Sequence, residues 1–166
     1  MKALAGLIVP TTGRVICRAR AAGRFAYLPQ QAEIDRNFPV TIREFVTLGG
    51  WRSFGAFRAA PQALAERVRE VVAAVGLFGE IDRQISALSV GQFQRALFGR
   101  LLLQDASVIL LDEPFAAVDE ATTGDLIAIM QRLHHEARTV IAALHDFEQV
   151  RTHFPQCLLL ARRVIA

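Results

Sequence analysis

Val108-Ile109-Leu110-Leu111-Asp112-Glu113-Pro114 is an unbroken apolar run that ends in two carboxylates and a proline. A run this short and this apolar suits a strand buried on both faces of a parallel sheet. It would deliver Asp112 and Glu113 to the carboxyl end of that strand, where open α/β sheets meet phosphates and metal ions. One helix's length upstream stands Leu88-Ser89-Val90-Gly91-Gln92, in which Ser89 is placed to cap a helix running from about Gly91 to Leu103.

Working outward, the same alternation repeats. Downstream, the spacing predicts a helix over roughly Ala121 to Glu136 and a strand from Thr139 to Leu144 that ends at His145. A short helix capped by Asp146 and a last buried strand from Cys157 to Leu160 follow. Upstream, Gly13-Arg14-Val15-Ile16-Cys17 and Arg24-Phe25-Ala26-Tyr27-Leu28 read as two strands around a Gly23 turn, and Met1 to Leu7 as the tail of a helix. Thr41 with Glu44 three residues later forms a capping box for a helix through about Leu48. Pro61 opens a long helix to Val75, with Leu64, Val68, Val71, Val72 and Val75 at helical spacing. Strands alternating with long helices indicate an α/β fold with a largely parallel sheet.

Composition sets limits. The 166 residues suit one domain, and 52% of them are hydrophobic, enough to cover a sheet on both faces. No apolar run approaches the roughly 18 residues of a membrane span, and the opening residues, broken at Gly6 and Pro10, do not form a signal sequence. The net charge of +3 is spread over scattered arginines, which argues against nucleic acid as a partner. Cys17 and Cys157 stand far apart and read as buried small hydrophobes in a reducing compartment. His134, His135 and His153 lack ligand-like spacing and read as solvated surface. Tyr27 reads as core, while Trp51, Phe54 and Phe57 form an aromatic cluster suited either to the core or to a partner surface.

Taken in order, Gln30 after a strand, Leu88-Ser89-Val90-Gly91-Gln92, Asp112-Glu113-Pro114, Ala117-Val118-Asp119 and His145-Asp146 resemble the Q-loop, signature, Walker B strand, D-loop and H-loop of the ATP-binding cassette (ABC) transport ATPases. Each element alone is weak, whereas five in this order are specific. The resemblance implies a P-loop NTPase-like sheet flanked by helices. A helical signature subdomain over about residues 41–104 would be inserted between core parts at 1–40 and 105–166. ATP and Mg²⁺ are the implied cofactors.

What the resemblance implies for single residues follows the same order. Asp112 would hold Mg²⁺ through water, since hard cations favour carboxylate and water oxygens. Glu113 would be the general base toward the water attacking the γ-phosphate, and His145 would contact that phosphate and help hold the water. Gln30, preferred over Gln31 by its offset from the strand, would touch the metal or the water. Ser89, Gly91 and Gln92 would present a helix N-terminus to ATP held by an opposing subunit, and Asp119 would cross between the two sites. Val90 stands where the family usually has glycine, which gives its backbone less freedom to approach a phosphate.

The family's G-x-x-x-x-G-K-[ST] loop does not occur, and Lys2 is the single lysine. Lys2-Ala3-Leu4-Ala5-Gly6-Leu7 with Pro10 and Gly13 resembles the helix following that loop. The expectation is therefore a fragment, or a gene model begun at an internal methionine, lacking the first strand and phosphate loop, with a naturally loop-less paralogue as the alternative. Such a chain is expected to be marginally stable or aggregating, and a poor ATPase by itself. The resemblance further implies transmembrane permease subunits, a second cassette in a dimer, and a periplasmic or extracellular solute-binding protein acting indirectly. It implies a station at the cytoplasmic face of the membrane. Leu28-Pro29-Gln30-Gln31, Phe38 to Val46 and Phe93-Gln94-Arg95 look most like importers of zinc, manganese or chelated iron. The alternatives are a non-transport cassette, or a non-catalytic one that completes a partner's ATP site.

Overall fold

The computed structural model describes residues 1–30, 34–51, 61–161 and 163–164. At its centre is a parallel three-stranded sheet in the order β1 (Phe25–Leu28), β2 (Val108–Asp112), β3 (Thr139–Ala143). Phe25 pairs with Val108 and Leu28 with Leu111. On the other side of β2, Val108 pairs with Thr139 and Asp112 with Ala143. The middle strand is buried through Ile109, Leu110 and Leu111, as an apolar strand covered on both faces should be.

Around the sheet run α1 (Lys2–Ala5), α2 (Arg18–Ala21), α3 (Ile42–Thr47), α4 (Gln62–Ala74), α5 (Val90–Leu103), α6 (Glu120–His135) and α7 (Phe147–His153). α1 ends at Gly6 in the left-handed conformation, with φ 76°. The capping box at α3 is complete: Thr41 Oγ1 accepts from the Glu44 amide, and the Glu44 carboxylate accepts from the Thr41 amide. These hydrogen bonds, the backbone amide of Thr41 first, hold the Glu44 carboxyl below its ordinary range.

α3, α4 and α5 pack together between β1 and β2 in sequence, and their facing side chains (Ile42, Val46, Val68, Val72, Phe93, Phe98) are buried in one core. The approach is close. A Cβ on Gly49, in the 3₁₀ turn after α3, would collide with the Arg100 carbonyl on α5, so that position admits only glycine without a shift.

Three expectations fail here. Residues 13–17 form no strand; they lead as irregular chain into α2. The last strand does not span Cys157 to Leu160. Leu160–Ala161 (β4) pairs antiparallel with Arg163–Val164 (β5) in a small separate ribbon. The cysteines are not buried, Cys17 being half-buried and Cys157 exposed. Residues 13–17 and 157–159 have β-branched or apolar residues with strand propensity, but among the described residues no strand pairs with them. His134 and His135 are exposed and His153 is half-buried. Trp51 is exposed, while Phe54, Phe57 and Gln31 lie outside the described residues.

Among the described residues β3 has one neighbour only, so one of its edges carries unpaired backbone groups. Ile141 on that strand, with Leu158 and Leu160, is exposed. The chain is therefore expected to self-associate at micromolar concentration, and Ile141→Lys to reduce the associated fraction in sedimentation velocity. Thr41→Ala should lower the stability by about 1 kcal/mol in urea unfolding, through loss of the α3 cap.

Candidate functional site

Parallel pairing places the carboxyl ends of β1, β2 and β3 along one edge. Gln30 follows β1, Asp112 and Glu113 close β2, and His145 follows β3. Their side chains converge. Gln30 Nε2 donates to Glu113 Oε2 at 2.8 Å, and His145 Nε2 lies 2.6 Å from Glu113 Oε1. Both oxygens of one carboxylate are thus engaged, each by a residue from a neighbouring strand end.

The backbone aims Glu113 at this position. Its amide donates to the Ala143 carbonyl at 3.1 Å, which extends the β2–β3 ladder by one step. Its φ is then +49°, the left-handed region that a non-glycine residue enters at a cost. Pro114 follows, and its carbonyl accepts a 2.6 Å hydrogen bond from Nε2 of Gln94, a residue only 3% exposed on α5. That bond anchors the turn after Glu113 to the middle of α5.

Asp112 is held differently. The Tyr27 hydroxyl donates to Asp112 Oδ2 at 3.0 Å across β1 and β2, and among the described residues no donor reaches Oδ1. Tyr27 lies in its strand as expected, but it is half-buried, with its hydroxyl at the site. The role of Tyr27 was not legible as chemistry, because a tyrosine in an apolar strand looks like core. Gln94 did carry a signal, being a polar residue on the apolar face of a helix.

Ser89, Gly91, Gln92 and Asp119 form a second group. Ser89 and Gln92 make a reciprocal capping box at the start of α5, and Gln92 Nε2 also reaches both carboxylate oxygens of Glu80, at 2.9 and 3.1 Å. Asp119 caps α6 by accepting from the Thr122 amide at 2.9 Å. The two helix starts touch: a Cβ on Gly91 would stand 3.2 Å from both Asp119 Oδ2 and Thr122 Oγ1. Val90 occupies the first helical position and is not among the residues of positive φ, so this backbone asks for no glycine there.

A cleft of about 770 Å³, lined by Gly23, Trp51, Arg67 and Arg100 among others, lies toward the opposite end of β1, away from the converging carboxylates. In it the Arg100 guanidinium stacks 5.3 Å over Phe45, and burial pushes its pKa down.

The family description "ABC transporter" matches residues 1–116. The chain belongs to the ABC transporter family. This cassette is similar to the zinc transport system ATP-binding protein TroB of Treponema pallidum, at 36% identity over 100% of the chain and 64% of the relative. It is similar to the manganese transport system ATP-binding protein MntA of Synechocystis, at 34% over 99% and 66%. MntB of Listeria monocytogenes, a manganese transport system ATP-binding protein, is 30% identical over 100% and 71%. The cassette thus spans about two thirds of the length of the relatives it matches. Its fold is that of the solved nucleotide-free ATP-binding cassette of an ABC transporter, with TM-score 0.79 at 15% identity, covering 99% of this chain and 72% of that one. Among the described residues no helix is long and apolar enough to cross a membrane.

Asp119 titrates with its cap. Hydrogen bonds from Thr122, its backbone amide first, hold the carboxyl below the usual range, and Arg95 adds to this. The capped form is therefore favoured fully above the unfolded value of about 3.9 and lost as pH falls through the lower folded value. Amide exchange at Thr122 should accelerate over that acid window, whereas Asp119→Asn, which keeps the acceptor and loses the charge, should flatten the pH dependence.

Proposed function

We propose that this cassette is the ATP-binding and ATP-hydrolysing part of a metal-ion importer, with zinc or manganese as the transported ion. The observation that carries the reading is Glu113, gripped between Gln30 and His145 at the carboxyl edge of a parallel sheet. A general base needs a carboxylate aimed by its backbone and flanked by groups that can order a water. Glu113 has its left-handed backbone, a quarter-exposed side chain and two polar neighbours. His145 is 82% exposed and so can turn toward a phosphate without unpacking the core.

The donor set suits Mg²⁺. Among the described residues no group of three or more His, Cys, Asp or Glu side chains could enclose an ion. Mg²⁺ in nucleotide sites takes one or two protein oxygens and completes its shell with phosphate and water. Asp112 Oδ1 and the side-chain oxygen of Gln30 are the oxygens this chain would offer. When bound, the ion would neutralise charge on the phosphates.

In this reading Glu113 takes the proton of the attacking water, and His145 holds the water and the γ-phosphate in line. Gln30, which donates to Glu113 in this structure, would be the residue to supply its side-chain oxygen to the metal or the water. Ser89, Gly91 and Gln92 close over the ATP of a second cassette, whose own site would in turn be linked through Asp119. Permease subunits convert that closure into movement of the ion at the cytoplasmic membrane face, and a solute-binding protein delivers it. The names of the zinc and manganese relatives support the choice of solute class.

The reading is tested on the full protein assembled with its membrane partners. Glu113→Gln should cut ATP hydrolysis by about a hundredfold or more while ATP remains bound. It should also abolish uptake of radioactive zinc or manganese. Hydrolysis at the parent rate would refute the assignment of Glu113.

A further inference from the structure

Tyr27 is the single tyrosine of the chain, and it stands in β1 opposite Leu110 of β2. Asp112 lies two residues beyond Leu110, so the pleat returns it to the same face of the sheet. The two side chains meet diagonally. The Tyr27 hydroxyl donates to Asp112 Oδ2 at 3.0 Å. A phenylalanine ring would fill the same half-buried space, and the hydroxyl adds the bond to Asp112.

The two carboxylates at this edge are held in different ways. Glu113 has both oxygens engaged, by Gln30 and by the exposed His145, which follow their strands. Asp112 has one oxygen engaged from within the sheet, by a residue whose backbone is fixed in the β1–β2 ladder. Among the described residues no donor reaches its Oδ1. A neutral phenol donates one hydrogen and brings no charge, so Asp112 keeps its negative charge for a cation while its plane is fixed.

Cations differ in what they ask of a carboxylate. Mg²⁺ demands a near-ideal octahedral shell and keeps several waters, which suits one oxygen per carboxylate, bound directly or through water. Ca²⁺ accepts roughly six to eight oxygens in flexible geometry and takes a carboxylate by one oxygen or by both. A cation held by both oxygens of Asp112 must share Oδ2 with the phenol or displace it, whereas one held by Oδ1 alone disturbs nothing. Among the described residues no cluster of three or more His, Cys, Asp or Glu side chains is present to enclose an ion. The chain's own share in choosing the cation therefore rests on how few oxygens it presents and how they are held.

We propose that Tyr27 is a positioning residue that, by holding Oδ2, restricts Asp112 to one-oxygen binding and so makes the nucleotide site prefer Mg²⁺ over Ca²⁺. The proposal rests on the ATPase reading for the presence of nucleotide, and it gives Tyr27 a part in choosing the cation.

The experiment measures binding of the non-hydrolysable analogue AMP-PNP to the full protein by calorimetry, once with Mg²⁺ and once with Ca²⁺. Tyr27→Phe should shift the ratio of the two affinities about tenfold toward Ca²⁺, the scale of one hydrogen bond to a charged group. In an Asp112→Asn background the same substitution should leave the ratio where it is. A 3-fluorotyrosine label at position 27 gives a second readout, and it carries the test should Tyr27→Phe not fold. Its fluorine resonance should hold its position when the Mg²⁺ nucleotide binds and move when the Ca²⁺ nucleotide binds. A tie that serves stability alone would lower the melting temperature of Tyr27→Phe and leave the ratio unchanged. That unchanged ratio, or a resonance that moves equally with both cations, overturns the proposal and leaves the ATPase reading standing. A parent protein that binds the nucleotide with neither cation overturns both.

Discussion

The structure depends on the in-register parallel pairing of β1, β2 and β3. Parallel strands end at the same edge, so three residues distant in sequence become neighbours with no loop of special length. Leu28 opposite Leu111, and Asp112 opposite Ala143, set the heights of Gln30, Glu113 and His145 to within one side chain of each other. A slip of one residue on β2 would turn Ile109 and Leu111 to the other face and carry Asp112 and Glu113 with them. The apolar core that fixes the register and the polar edge that forms the site are thus two consequences of one pairing.

The second layer is the helical insertion, which reaches the same edge by a different route. α5 contributes its middle to the sheet site through Gln94 and Pro114, and its start to the second group through Ser89 and Gly91. A rigid helix of this length transmits displacement along its axis with little loss. Gln94 being buried, and its bond short, an apolar residue there would leave the Pro114 carbonyl without that donor, in a place where water does not easily replace it. The turn that holds Glu113 in the left-handed region would then lose the tie that keeps it there.

Much of this was legible in the sequence where a residue type and its spacing reflect local physics. Thr41 with Glu44, Ser89 as a helix cap, and the acidic close of Val108–Asp112 needed no knowledge of neighbours, and the structure forms each of them. Failures came where the outcome depends on a partner strand. Val15-Ile16-Cys17 and Leu158-Leu159 have the propensity but, among the described residues, no partner strand, so they remain irregular, with Ile16, Leu158 and Leu159 exposed and Val15 and Cys17 half-buried. Tyr27 was not assigned to the site for a related reason: it acts through Asp112, far away in sequence, and no local pattern encodes that contact. Gln94, bonded to the Pro114 carbonyl, shows itself only as a polar residue on an apolar helix face.

Val90 sharpens the point about glycine. By its resemblance to the signature, the position of Val90 is expected to favour glycine, with a branched residue restricting the backbone. The geometry separates two demands that the sequence merges. The position at Val90 opens the helix with an ordinary backbone and a side chain 37% exposed, so a branched residue fits. The position at Gly91 faces Asp119 and Thr122 at a distance a methyl group would crowd. The close approach between the starts of α5 and α6 therefore rests on Gly91. Val90, 37% exposed, therefore starts α5 without a left-handed backbone, and the constraint at this helix start lies one residue on.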